Sequence, residues 1–273
     1  MSDALLTIAD LSVHFPGDPL GGGPPGGVAA VEGVNLELRS SEILALVGES
    51  GCGKTTLARS LLGLVRPSRG SIRFEGQELT SLSARAWRPA RRRLQMVFQD
   101  AEPALDPRLT IEQSVGEGLA IHRIGAPAEW RERVAALLKR VGLPEQVARC
   151  LPAELSGGQR QRVGVARALA VDPVLLIADE ATSALDATVQ VQILELFAEL
   201  KASQGLACLF VTHDLREVAY LSDRVAVMHQ GRIVEVGPTR EVLDHPRDPY
   251  TQALLASRFP QGPAPNAVSL GAP

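Results

Sequence analysis

Residues 43–64 read ILALVGESGCGKTTLARSLLGL. Ile43 to Val47 is an uninterrupted apolar run, the pattern of a strand buried on both faces. A glycine ends the run, and Leu57 to Leu64 then follow helical spacing. Between strand and helix, Gly48-Glu49-Ser50-Gly51-Cys52-Gly53-Lys54-Thr55 fits GxxxxGK(S/T) in the strand–turn–helix context that gives the pattern its meaning. Glycines let successive backbone N–H groups turn inward around an anion, and the start of the helix adds its partial positive charge. Lys54 is expected to reach the β- and γ-phosphates of a nucleotide, and the Thr55 hydroxyl to bind Mg²⁺. The competing reading is a plain glycine-rich turn. Chance alone places the bare pattern in about one chain in a hundred of this length.

Two further stretches carry chemistry. Val174 to Ala178 is a buried strand that ends in Asp179 and Glu180. Acids at the C-terminal end of such a strand face the crevice where α/β sheets bind ligands. Asp179 suits Mg²⁺, a hard cation that prefers oxygen, and Glu180 suits the base that activates a water. Alone, the pair reads equally well as a strand ending in solvated acids. Leu155-Ser156-Gly157-Gly158-Gln159 places a good N-cap residue and two bare glycines ahead of an arginine-rich helix. It reads as a second helix start built to hold an anion, and arises by chance in on the order of one chain in a few thousand. Two anion-binding helix ends in one chain suggest two halves of a composite site.

Around these motifs the 273 residues are ordinary for a globular protein, with 45% hydrophobic and 22% charged residues. The net charge of -3 argues against nucleic acid as a partner. Cys52, Cys150 and Cys208 are an odd, widely spaced set without a CxxC pair, which favours a reducing compartment over a disulfide framework or a zinc site. The N-terminus lacks a signal peptide's basic region, and no apolar run approaches the ~18 residues of a membrane span, so any membrane role is expected to run through partners. Leu5 to Phe15 reads as a strand with a turn at Ala9-Asp10. Pro16 to Gly27 is a Gly/Pro loop, and Val34 to Leu38 alternates like a half-buried strand. Ser71 to Phe74 and Leu94 to Phe98 are further strands. Arg88 and Arg91 to Arg93 read as a solvated basic face.

From about Asp100 to Arg162 the pattern is helical. Trp130, Val134, Leu137, Leu138 and Val141 share one face, and Gly142 caps its end. Val189 to Leu200 is a helix and Ala207 to Thr212 a buried strand. Arg224 to Met228 and Arg232 to Val236 form a hairpin around Gln230-Gly231. The alternation implies an α/β core with a mostly parallel sheet. One domain over 1–258 is expected, with the helical stretch inserted at about 100–162 and a disordered tail at 259–273.

On the phosphate loop, the Leu155–Gln159 signature and the Asp179-Glu180 strand, in that order, the chain resembles the nucleotide-binding subunit of ABC transporters from about Leu5 to Leu255. The resemblance implies the ABC ATPase fold, a P-loop NTPase core with an antiparallel β subdomain and an inserted helical subdomain. It implies ATP and Mg²⁺, and two such subunits paired head to tail, so that Ser156, Gly157, Gly158 and Gln159 of one chain complete the partner's site. Thr56 would contact the α-phosphate, and Gln99 would sense Mg²⁺ and the attacking water. His213 would contact the γ-phosphate, Glu180 would serve as the base and Asp179 as a metal ligand. Ser183-Ala184-Leu185-Asp186 matches the loop that crosses the dimer interface, and Phe15 is the candidate aromatic for stacking on adenine. Ala181 departs from the proline usual after the catalytic acid.

Glu49 in the loop, and His245-Pro246-Arg247-Asp248-Pro249-Tyr250-Thr251-Gln252-Ala253-Leu254-Leu255, are similar to the branch that imports peptides and nickel. Ala181 and the want of a cysteine-bearing tail lean to nickel or a metal chelate, and the rest to di- or oligopeptides. The resemblance further implies a different, paralogous ATPase chain as partner, two transmembrane permease subunits and an extracytoplasmic binding protein. The expected place is peripheral, at the cytoplasmic face of the membrane. A DNA-repair ATPase would need sustained heptads between Gly48 and Ser156, a paired translation factor a second phosphate loop, and a P-loop kinase would have no role for the signature.

Overall fold

The computed structural model describes residues 4–16, 27–99, 104–183 and 185–258, without the side chain of Arg258. Most of the Gly/Pro loop, residues 100–103, Ala184 and the tail from 259 lie outside them. The chain divides into two compact units, Met1–Ser83 with Leu209–Pro273, and Ala84–Cys208.

The first unit holds a four-stranded antiparallel sheet in the order β2-β1-β4-β5, from β1 (Ala4–Phe15), β2 (Val28–Arg39), β4 (Arg69–Phe74) and β5 (Gln77–Glu78). The turn expected at Ala9-Asp10 is an irregularity within one continuous strand. Asp10 takes φ 49, the register shifts between Ile8 and Leu11, and the Asp10 amide donates to Asn35 Oδ1 at 3.0 Å. β2 begins six residues before the alternating Val34–Leu38 segment, because Val28 and Ala29 pair with Phe15 and His14 although they are exposed.

The same unit contains β3 (Ile43–Val47), buried at all five positions, which runs parallel to β9 (Arg224–His229). β9 turns back into antiparallel β10 (Arg232–Pro238). The turn between them has Gln230 at φ 46 and Gly231 at φ 80, two left-handed residues in the primed geometry that matches strand twist. β3 leads into helix α1 (Lys54–Leu61). Helices α7 (Leu215–Leu221), α8 (Thr239–Asp244) and α9 (Pro249–Arg258) complete the unit. Ala45, Val47, Val218, Val225, Val227, Val242 and Leu255 form a shared core. At its edge Glu42, 7% exposed in its side chain, pairs with Arg224 at 2.9 Å and accepts from the Arg39 amide at 2.7 Å.

The second unit contains α2 (Trp87–Arg93), β6 (Leu94–Val97), α3 (Ile111–His122), α4 (Pro127–Arg140), α5 (Gly157–Leu169), β7 (Leu175–Asp179) and α6 (Ala187–Gln204). β6 and β7 pair in parallel, with Leu94 opposite Leu175 and Val97 opposite Ala178. Thr110 and Gln113 form a capping box at the start of α3. α4 buries Val134, Leu137 and Leu138, the expected face, and the Trp130 indole donates to the Ile124 carbonyl at 2.7 Å. Gly142, at φ 71, ends it as expected, with the Leu143 amide returning to Leu138 O at 2.8 Å. Helical structure runs beyond Arg162, since α5 ends at Leu169. β8 (Ala207–Val211), buried throughout, crosses the boundary along the chain. Its start follows β7 in the second unit (Ala207 N to Val174 O, 3.0 Å). Its end lies beside β3 in the first (Thr212 N to Leu46 O, 3.2 Å).

Removing Glu42 leaves a half-buried guanidinium without its carboxylate and an amide without its acceptor. Glu42→Ala is therefore expected to lower the free energy of unfolding by about 2–3 kcal/mol, read from urea denaturation.

Candidate active site

The phosphate loop is shaped by contacts that only glycine permits. A Cβ on Gly53, at φ 110, would lie 2.1 Å from the Ala30 carbonyl oxygen, and one on Gly48 would lie 2.1 Å from that of Met228. β2 and β9 therefore crowd the loop from outside. Its carbonyls are used inside the protein. Gly231 N donates to Cys52 O at 2.9 Å, and Leu57 N to Gly53 O at 2.9 Å. The ammonium of Lys54, 5% exposed, donates to Gly48 O at 2.9 Å and Glu49 O at 2.8 Å. Glu49, Ser50 and Gly51 are exposed, Cys52 is buried, and Thr55 and Thr56 are half-buried at the first turn of α1. A glycine-shaped loop at a helix start, with one buried cation beside it, suits a phosphate.

His213 follows β8 as Gly48 follows β3, so both leave the same end of neighbouring strands within the first unit. It sits exposed on a turn fixed by Thr212 Oγ1, which accepts from the Asp214 amide at 3.0 Å, and by Asp214, which caps α7 through the Arg216 amide. Phe15 closes β1 with 42% of its surface exposed, a free aromatic face of the kind that stacking on a base requires.

In the second unit, Asp179 is 1% exposed at the end of β7 and Glu180 follows at φ 48. A non-glycine residue in the left-handed region is uncommon, and such strain is concentrated at functional sites. The Glu180 carboxylate accepts from Gln99 Nε2 at 2.8 Å, so the two residues expected to share the attacking water are brought together. Ser183 Oγ donates to the Glu180 carbonyl at 2.9 Å, and Ala181 is fully buried. Asp179, Gln99 and Thr55 are the oxygen-bearing set expected for Mg²⁺. Among the described residues no cluster of three or more His, Cys, Asp or Glu could hold a metal ion by itself. Magnesium takes most of its ligands from phosphate and water, so a single protein oxygen from any of these residues suits it.

Ser156 N-caps α5 and forms a reciprocal box with Gln159 (Gln159 N to Ser156 Oγ 3.2 Å; Ser156 N to Gln159 Oε1 2.9 Å). Ser156 and Gly157 are exposed and Gly158 half-buried, and a Cβ on Gly157 would meet nothing within 4 Å. This is an open, glycine-bearing helix start. Asp186 caps α6 through the Val189 amide at 3.0 Å, while Ala184 of the same loop lies outside the described residues.

One residue escaped the sequence reading. Gln161, 1% exposed, donates to the Phe98 carbonyl at 2.9 Å, immediately before Gln99. A glutamine between two arginines reads as solvated. Its signal was its spacing, because Gln161, Val165, Ala168 and Leu169 are all buried and fall on one helical face. The basic run is a solvated face, as expected, with Arg88 and Arg91 to Arg93 all exposed. Arg88, Arg92 and Arg93, with His122, Arg123 and Asp172, line an open cavity of about 570 Å³. Burial, then the charges of Arg88 and Arg92, hold the His122 imidazole below its usual range.

A glycine-rich loop between a buried strand and a helix, a buried lysine at that helix start and a second buried strand ending in an acid pair are the marks of a P-loop nucleotide-binding cassette. The chain belongs to the ABC transporter family, whose model matches residues 31–183. It is 50% identical over 230 residues to the glutathione import ATP-binding protein GsiA of Pectobacterium atrosepticum, a match covering 84% of the chain but only 37% of that relative's length. It is 44% identical over 257 residues to the oligopeptide transport ATP-binding protein OppF of Escherichia coli, covering 93% of the chain and 77% of that protein. Among solved structures, a dimeric ATP-binding cassette in a post-hydrolysis state, bound to ADP and Pi, superposes with a TM-score of 0.80 at 28% identity over 86% of the chain and 99% of its own.

Gln161→Leu removes the donor from the half-buried Phe98 carbonyl. It is expected to cost about 1–3 kcal/mol in unfolding free energy and to speed amide exchange around Gln99. Gly53→Ala is expected to lower the melting temperature by several degrees without nucleotide, since the left-handed backbone alone costs about 1–3 kcal/mol before the clash with Ala30.

Proposed function

We propose that this chain is the ATP-hydrolysing subunit of an importer for di- or oligopeptides. The observation that carries the hydrolytic reading is the 2.8 Å bond from Gln99 to Glu180 at the end of β7, which orients a carboxylate to receive a proton from water. The names of the relatives, a glutathione and an oligopeptide importer subunit, favour peptides over nickel or a metal chelate as cargo.

The roles divide by unit. In the first, the loop amides and Lys54 bind the phosphates of ATP, Thr55 and Thr56 add hydroxyls, Phe15 stacks on the adenine and His213 contacts the γ-phosphate. Lys54 donates to Gly48 O and Glu49 O and has a third N–H to turn to the phosphate oxygens. In the second, Asp179 and Gln99 are metal ligands and Glu180 is the base. Magnesium, when bound, neutralises charge that develops on the phosphates. Ser156 and Gly158 contact the γ-phosphate held by a partner ATPase chain arranged head to tail, with Gly157 and Gln159 in the same signature loop and Asp186 near the interface. ADP lacks that phosphoryl group, so its formation removes the contacts holding the pair closed. The helical stretch of about 100–162, within a domain spanning 1–258, passes the motion to two permease subunits, which an extracytoplasmic binding protein supplies. The chain then works peripherally at the cytoplasmic membrane face, without nucleic acid. Among the described residues no helix is long and apolar enough to cross a membrane.

Glu180→Gln in the assembled transporter is expected to lower ATP turnover at least about 100-fold while ATP binding persists. Unchanged turnover would refute the assignment. Lys54→Ala is expected to weaken ATP binding at least about tenfold, read by titration of a fluorescent ATP analogue. Uptake of labelled peptides by membrane vesicles containing the complex tests the cargo, with nickel uptake as the contrary result.

A further inference from the structure

The segment His245 to Leu255 lies outside the stretch matched by the family model, yet it touches the phosphate loop. We propose that Tyr250 is a positioning residue of the nucleotide site, whose hydroxyl fixes the Gly48–Glu49 peptide of that loop. The proposal rests on the reading of residues 48–55 as the phosphate-binding loop.

The Glu49 amide donates to the Tyr250 hydroxyl at 3.1 Å. The carbonyl of the same peptide unit, Gly48 O, accepts from Lys54 Nζ at 2.9 Å. One peptide plane is therefore held at both ends. The Tyr250 bond holds the amide end whatever Lys54 does at the carbonyl end when nucleotide binds. Without it the peptide can rotate when the loop has to present its amides to phosphate, so ordering has to be supplied from binding energy.

The tyrosine is itself well seated. Its ring stacks on His229, with centroids 3.9 Å apart and planes 28° from parallel. His229 follows Met228, whose carbonyl abuts Gly48. At the start of α9, Asp248 Oδ1 accepts from the Tyr250 amide at 2.8 Å, and the Glu235 carboxylate accepts from the amides of Arg247 at 2.9 Å and Asp248 at 3.1 Å. Tyr250 and Leu254 pack on the core that contains Val225, Val227 and Val242. Burial holds the phenol above its ordinary pKa, so it stays protonated at neutral pH. A ring placed only for packing would not need its oxygen on the loop.

Tyr250→Phe keeps the ring and removes the oxygen. In the full chain it is expected to raise the dissociation constants of mant-ATP and mant-ADP about 3- to 10-fold, the range of one lost hydrogen bond. In the assembled transporter the KM for ATP should rise in proportion, with kcat within about twofold. Wild-type affinity in Tyr250→Phe, even with a lower melting temperature, overturns the proposal, as does a loss confined to kcat. Lys54→Ala separates the two readings: if it abolishes mant-ATP binding while Tyr250→Phe binds normally, only the role of Tyr250 fails. If Lys54→Ala itself binds normally, the nucleotide site fails. Should Tyr250→Phe not fold, amide exchange of wild-type Glu49 with nucleotide bound decides, protection supporting the bond and fast exchange sinking it.

Discussion

A phosphate loop can offer its amides only if its carbonyls are satisfied elsewhere, and this constraint organises the first unit. Cys52 O is taken by Gly231, Gly53 O by Leu57, and Gly48 O and Glu49 O by Lys54. These donors come from the loop's neighbours. Gly231 belongs to the β9–β10 turn, Leu57 to α1, and the space around Gly53 and Gly48 is bounded by β2 and β9. The loop is thus a product of the surrounding sheets as much as of its own glycines. Buried β3 and β9 supply the rigidity that lets backbone carbonyls approach so closely.

The second unit solves a different problem, that of aiming a carboxylate. β7 is fully buried, so Glu180 at its end starts from a fixed point, and its left-handed backbone turns the chain sharply there. Gln99 and Ser183 then hold the side chain and the carbonyl of the turn. Gln99 is itself positioned from behind, since Gln161 ties the preceding carbonyl to the helix that opens with Ser156.

Much of this was legible in the sequence because it depends on local rules. The apolar runs Ile43–Val47 and Val174–Ala178, the Gln230-Gly231 turn, the Gly142 stop and the Ser156 cap each follow from periodicity or from the backbone needs of a single residue, and each is found where expected. What was not legible depends on partners distant in the chain. Nothing local marks Val28 and Ala29 as strand; their pairing with β1 does that. Nothing around Gln161 says that it is buried until the helical face is drawn. Tyr250 stands out in its motif but gives no sign that its hydroxyl meets an amide 201 residues away. Roles that need a nucleotide or a second chain, such as those of Phe15, His213 and Gly158, rest on resemblance and not on contacts within the fold.

The tie between Gln161 and Phe98 has a mechanical corollary. A helix anchored by a buried amide cannot roll about its axis without dragging the backbone to which it is bonded. The bond therefore ties the orientation of α5, near its exposed start, to the backbone that leads into Gln99.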